Sequence, residues 1–329
     1  PPPNESSCHP SAATVMIVRP RPRGIEYFLV LHGSILPTIW LKLAITVVTA
    51  MLVTLAHGAL FHVKVILTPM PFSLMGLALA IFLGFRNSAS YERFWEGRKL
   101  WGSLVVASRD LARQFESFLR PAGGGADDAA ELAHTRHRMT RGVIAYAHAL
   151  RHHLRDSDPA ADFDRLLPAD WRPALALAGH RPAAILQRLG GDLRLCIERG
   201  WVVPILAQEI DRSFSRLGEV LGGCERIRST PIPFSYSVLL HRTVYVYCYL
   251  LPFGLVDTIG NFTPLVVGIV AYTFFGLDAI GDEIEEPFGT TANDLPLAAL
   301  SHAVEADLRE LSGEGGAPPM PKAVNYCLQ

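Results

Sequence analysis

The chain has 329 residues, half of them hydrophobic and only 19% charged, with a mean hydropathy of +0.24. Soluble domains carry about 25% charged residues, so the deficit points to lipid, and the apolar content excludes a wholly disordered chain. Thirty Lys and Arg nearly cancel 31 Asp and Glu, which gives no reason to expect a nucleic-acid partner. Five scattered cysteines form no disulfide framework.

Residues 1–15, PPPNESSCHPSAATV, lack the apolar core of a signal peptide and are expected to be disordered, with Met16 opening the structured chain. Four stretches without Asp, Glu, Lys or Arg follow. Two have 21 residues each, between Lys42 and Lys64 and between Lys64 and Arg86. One of 14 residues lies between Arg242 and Asp257, and one of 20 between Asp257 and Asp278. About 20 apolar residues cross a bilayer core, so the first, second and fourth suffice. The third suffices if it borrows Ser235 to Leu240 with Arg242 turned from lipid. The expected spans are about 36–60, 66–86, 235–256 and 258–278. Basic clusters precede spans one and three and follow span two, which places both termini and the middle of the chain in the cytoplasm.

Between Arg86 and Arg242 there are 23 Lys and Arg against 18 Asp and Glu, whereas 278–314 holds ten acidic residues and Arg309 alone. These regions are expected to meet. Apolar residues recur at 3–4 spacing from Tyr91 to Leu119, so span two continues as an amphipathic helix until Pro121. Further helices are predicted over Met139–Arg155, Pro182–Arg199 and Val202–Leu221, the last closed by Gly222-Gly223. No stretch alternates with period 2. The expected class is all-α, with a helical cytoplasmic region over about 87–234 and a disordered tail over 312–329.

Motifs for nucleotide binding, zinc proteolysis and CxxC redox chemistry are absent, so no enzyme is expected. His148 and His152, at i and i+4 with His153 beside them, have a metal-compatible spacing but no third ligand nearby, which favours a polar helix face. Cys224 and Cys248 read as packed thiols. Asp282, Glu283, Glu285 and Glu286, followed by Asn293 and Asp294, offer oxygen ligands without EF-hand spacing. In span two, Gly76, Ala80 and Gly84 form a stripe of small residues suited to close helix packing. Leu77, Ile81 and Phe85 form the neighbouring bulky stripe. Spacing alone leaves that stripe to lipid, to ordinary packing or to the axis of an oligomer, where a ring of apolar side chains would gate by dewetting.

The blocks GFRNSASYERFWEGRKLWG (84–102), LGGCERIRSTPIPFSYSVLLHRTVYVYCYLLPF (221–253) and EEPFGTTANDLPL (285–297), with MIVRP at 16–20, resemble the bacterial branch of the bestrophin ion channels. The resemblance runs from about Met16 to about Leu311. It implies a homopentamer around one pore, four membrane helices per subunit, passive conduction of small monovalent ions, chloride by family default, and residence in the inner membrane. Through Leu83-Gly84-Phe85 it assigns the pore neck to Leu77, Ile81 and Phe85, and by counting back from Gly222-Gly223-Cys224 it assigns a cytosolic aperture to Ile205. The acidic run that binds Ca²⁺ in animal members is here Thr290, Thr291 and Ala292 with only Asn293 and Asp294 left. No cofactor and no calcium dependence are therefore expected. The aliphatic Leu77 and Ile81 leave a cation-selective channel of the same fold as the alternative, with a secondary transporter or a partner-binding membrane protein behind it. The expected partners are the permeant ions, the bilayer and further copies of the chain.

Overall fold

The computed structural model describes residues 16–17, 24, 33–56, 59–60, 63–64, 68–123, 125–291, 293–315 and 327–328. The stretch 1–15, expected to be disordered, lies outside them, as do 316–326 of the tail. The described residues are almost entirely helical: α1 (Leu36–Leu55), α2 (Pro69–Phe118), α3 (Ala126–Leu154), α4 (Ala160–Leu166), α5 (Arg172–Leu177), α6 (Arg181–Glu198), α7 (Pro204–Ser229), α8 (Phe234–Ile259), α9 (Thr263–Glu285) and α10 (Leu297–Leu311). They divide into two compact units.

The apolar unit comprises Pro20–Trp95 and Thr230–Pro287. Its helices pack antiparallel in three pairs, each legible from residue against residue. Along α8 and α9, His241 meets Asp278, the Tyr245 ring lies 5.1 Å from Phe275, and Tyr247 lies 5.3 Å from Phe274. Numbers rise on one helix as they fall on the other, so the apolar run Phe234–Glu285 is a hairpin. Gly260, at φ +52° in the short 3₁₀ turn Gly260–Phe262, supplies the left-handed residue that this reversal needs. Along α2 and α8, Phe72 meets Gly254 and Gly76 meets Tyr247, and Tyr236 Oη donates to the Phe82 carbonyl at 3.0 Å. A methyl at Gly254 would fall 2.5 Å from Phe72 Cδ2, and one at Gly76 2.6 Å from Tyr247 Oη. Glycine thus admits the aromatic rings to the helix surface. On α1 and α9, Val47 faces Gly268 and Ile35 faces Gly276.

Among the described residues, three stretches are long and apolar enough to cross a membrane: Leu36–Leu55, the start of Pro69–Phe118, and Phe234–Glu285. Only 22, 17 and 39% of their most apolar windows are buried within the chain. An apolar surface of that extent demands lipid or further protein. The helix expected to reach residue 60 stops at Leu55, and Ala59–Leu60 instead pairs antiparallel with Val63–Lys64.

The polar unit comprises Pro1–Arg19, Glu96–Ser229 and Phe288–Gln329. Its core holds Trp101, Leu104 and Phe115 of α2, Val143, Ile144 and Tyr146 of α3, Leu217 of α7 and Val304 of α10. The expected close of a helix at Gly222-Gly223 is corrected: α7 runs through both glycines to Ser229. A methyl at Gly223 would lie 2.8 Å from Leu100, so this glycine serves close packing. Cys224 is fully buried, and burial pushes its thiol up to about 12. Where the sequence reading has only a disordered tail, Cys327–Leu328 pairs antiparallel with Met16–Ile17.

The basic middle and acidic tail do meet. Arg109 holds Asp307 at 2.6 Å and Arg141 holds Glu314 at 3.2 Å. The deepest contact is Glu305 of α10, fully buried, which accepts from Arg165 at 2.9 Å, pairs with Arg309 at 2.9 Å and lies 3.0 Å from His148 Nε2. Burial alone would raise its carboxyl. The hydrogen bonds from His148 and Arg165 and their charges override that and hold it at about 2, against 4.5 for a free side chain. A carboxyl lowered by folding adds stability above its unfolded value and loses it as pH falls towards the folded one. The Glu305 contribution should therefore be complete above about pH 4.5 and vanish towards pH 2, a change of about 3 kcal/mol. Thermal unfolding of the wild type and Glu305→Gln checks this: the variant melts lower at pH 7, and the gap closes across that window.

Candidate functional site

The 3.6-residue period assigns each side chain of α2 to a direction. Leu79, Leu83, Arg86 and Ser90 are at most 2% exposed and face the other helices of the apolar unit. Leu77, Ile81 and Phe85 are 62, 49 and 65% exposed. At about 100° per residue, the centre of this exposed stripe lies roughly 180° round from the buried one. The three bulky side chains therefore point directly out of the bundle, in register over about 12 Å of helix. One and two turns further along the same stripe stand Ser88 and Glu92, both exposed. The outward face thus changes from apolar to polar just after Phe85.

The small-residue stripe lies on the flank between these faces. Gly76 alone packs against a helix of the same chain, through Tyr247. Ala80 and Gly84 are exposed, and nothing lies within 4 Å of a methyl built on Gly84. Among the described residues, no helix packs on Gly84 and Ala80 stays exposed.

Directly after Phe85, Arg86 turns inward and is 2% exposed. Its Nη1 donates to Asp278 Oδ1 at 2.9 Å, its Nη2 to Asp282, and Glu285 Oε2 lies 3.7 Å away. The other Asp278 oxygen lies 2.7 Å from His241 Nδ1. Beside this pair, Asn87 Nδ2 donates to the Leu277 carbonyl at 3.1 Å, and a methyl at Gly281 would collide with Asn87 Oδ1. The ion pair is missed by motif reasoning, yet it leaves a signal. Arg86 and Asp278 are the first charges after the second and fourth apolar gaps, and two spans leaving lipid on one side bring those charges to the same level.

In the polar unit, Ile205 occupies the first turn of α7 and is 72% exposed, so it is not a core residue of that helix. Asp294 is buried and accepts from the Thr291 amide at 2.5 Å, closing the 291–294 turn, in which Asn293 also lies. Arg155 clamps the same loop by donating to the carbonyls of Phe288 and Leu295, each at 3.1 Å. Burial lowers its guanidinium to about 10, an effect opposed by the charge of Asp294. His148 and His152 meet on one oxygen of Asp162, where the Arg151 guanidinium, 2.7 Å from both that oxygen and His152 Nε2, takes the place a metal would need. His148 is fully buried against Glu305, with Asp162 3.3 Å from its other nitrogen, and His152 reaches the same Asp162 oxygen at 3.1 Å.

Residues 16–310 match the family described as bacterial/fungal bestrophin protein. The chain belongs to the bestrophin family. Among curated bestrophin relatives, it is 42% identical to a voltage-dependent anion channel-forming protein of Ralstonia nicotianae, over 91% of this chain and 95% of that protein. It is 39% identical to the voltage-dependent anion channel-forming protein YneE of Escherichia coli K12, over 92% and 96% of the two. The crystal structure of a bacterial bestrophin homologue from Klebsiella pneumoniae superposes with a TM-score of 0.77 at 38% identity, covering 84% of this chain and 99% of that one. Bestrophins are ion channels, not enzymes.

The buried pair generates a stability test. Removing one partner of a buried ion pair strands the other charge at a cost of about 3–5 kcal/mol, whereas replacing both by apolar side chains is close to neutral. Arg86→Met, which takes the guanidinium from the buried Asp278, should lower the melting temperature of the detergent-solubilised protein sharply, and adding Asp278→Leu should restore most of it. Additive losses in the double variant would show that the two groups act independently.

Proposed function

We propose that this chain is one subunit of a homopentameric, passive anion channel of the bacterial inner membrane, with Leu77, Ile81 and Phe85 of each copy forming the neck of a central pore. Four crossings are assigned to α1, the first part of α2, α8 and α9. At about 1.5 Å per residue, α8 and α9 each exceed the roughly 30 Å hydrocarbon layer. The distribution of Lys and Arg orients both termini and the polar unit to the cytoplasm. Ile205 is assigned to a second constriction there.

One observation carries the reading: the stripe Leu77, Ile81 and Phe85 faces out of its own bundle, opposite the buried face of α2. A symmetric assembly that turned this face to its axis would surround water with three apolar layers, a constriction that opens and closes by dewetting. The switch to Ser88 and Glu92 on the same stripe suits a throat that widens into a wet vestibule. The curated relatives' names, voltage-dependent anion channel-forming proteins, support anions as the carried charge. The proposed channel works without calcium: the acidic run is replaced by Thr290, Thr291 and Ala292, and Asp294 is engaged with a backbone amide of its own loop.

Purified protein in a planar bilayer under a salt gradient tests the reading. The reversal potential should lie on the anion side, and a potential on the cation side would establish the cation-selective alternative. Replacing Leu77, Ile81 and Phe85 together by Ala should raise single-channel current, and an unchanged current would remove these residues from the neck. Saturating flux coupled to a second solute would identify a transporter instead.

A further inference from the structure

Three distant segments of the polar unit converge on a second cluster of ligating side chains. His153 lies in the last turn of α3, His180 is the N-cap residue of α6, and Glu225 lies near the C-terminal end of α7. His153 Nε2 and His180 Nε2 each lie 2.7 Å from the same oxygen, Glu225 Oε1. All three donor atoms lie within 4.8 Å of one another. A cavity of about 260 Å³, lined by His152, His153, Asp156 and Gly179 among others, opens beside them.

We propose that His153, His180 and Glu225 are the protein ligands of a divalent transition-metal site of the zinc type, with a water in the fourth position on the cavity side. Two imidazoles and one carboxylate match zinc in kind and number for a site that keeps one position open. A single carboxylate is too few hard oxygen ligands for Ca²⁺ or Mg²⁺. Around a tetrahedral zinc with bonds of about 2.1 Å, donor atoms stand about 3.4 Å apart. The two 2.7 Å contacts need open by less than 1 Å, within reach of side-chain rotation.

The surroundings permit a cation. Arg228 is engaged with the His153 carbonyl at 2.6 Å and with the carboxylate of Asp156, and Arg181, which lines the same cavity, stands 4.0 Å from Asp158. The C-terminal ends of α3 and α7 add negative dipole, partly offset by the N-terminus of α6. Metal on His180 Nε2 moves the ring proton to Nδ1, which gives up the long 3.4 Å bond from the Ala183 amide. A bound ion would tie the end of α3 to α6 and α7, so binding and the stability of this unit would be linked.

The test uses full-length protein in detergent, with any polyhistidine tag removed and metal stripped by a chelator, titrated with Zn²⁺ against a fluorescent competitor. One Zn²⁺ per chain is expected, with a higher melting temperature when it binds. His180→Gln and Glu225→Gln should each weaken binding by more than the roughly 10–100-fold cost of outer-shell changes and abolish the rise in melting temperature. His134→Gln, outside the cluster, should change neither. Co²⁺ should give a tetrahedral visible spectrum in the wild type that Zn²⁺ displaces. Equal affinity and stoichiometry in both variants, or no binding by folded wild type, would overturn the proposal. Where a variant does not fold, the wild-type Co²⁺ spectrum decides, and its absence would refute the site.

Discussion

The rotation of α2 about its own axis is the constraint on which the functional reading rests. An arginine buried at that depth is tolerable only while its charge is matched, and Asp278 and Asp282 supply the match. Arg86 shares its face with Leu79, Leu83 and Ser90. Pinning Arg86 to α9 therefore fixes the face of α2 that turns inward, and with it the opposite face that carries Leu77, Ile81 and Phe85. A rotation of one residue, about 100°, would drag the guanidinium from its carboxylates. The neighbouring Asn87 bond to the Leu277 carbonyl and the close approach of Asn87 to the buried Gly281 hold the same alignment.

Much of this was legible in the sequence because membrane helices leave an unambiguous signal: apolar runs of fixed length bounded by charge. The helix α8 runs Phe234–Ile259 against an expected span of about 235–256, and α9 runs Thr263–Glu285, five residues late at its start and seven at its end against about 258–278. The reversal at Gly260 follows from helices too long to form a single crossing. The misses have specific physical causes. Gly222-Gly223 resembles a helix terminus, but its role is set by Leu100, more than a hundred residues away in sequence. The helix α10 went unforeseen because its buried face, Leu297, Val304 and Leu308, is interrupted by the charges of Glu305, Asp307 and Arg309. One of those, Glu305, points inward.

The candidate sites divide in the same way. The neck stripe is a local pattern on one helix and can be read from spacing, although spacing alone cannot say what covers it. The histidine clusters are products of tertiary structure. His148, His152 and His153 are close in sequence but divide in space, the first two meeting on Asp162 and the third turning to His180 and Glu225. Neither His180 nor Glu225 carries any sequence signal linking it to α3. The exposed Ala80 and Gly84 share this logic in reverse: a stripe suited to close approach is present, but among the described residues no partner covers it.

The account stands or falls on what lies opposite Leu77, Ile81 and Phe85. Single-particle imaging of the purified protein in lipid nanodiscs answers this most directly. The expected image has several copies around one axis, with the three side chains of each copy converging on it and density for lipid confined to other faces. Copies whose Leu77, Ile81 and Phe85 lie against acyl chains, or single subunits with no shared axis, would contradict it.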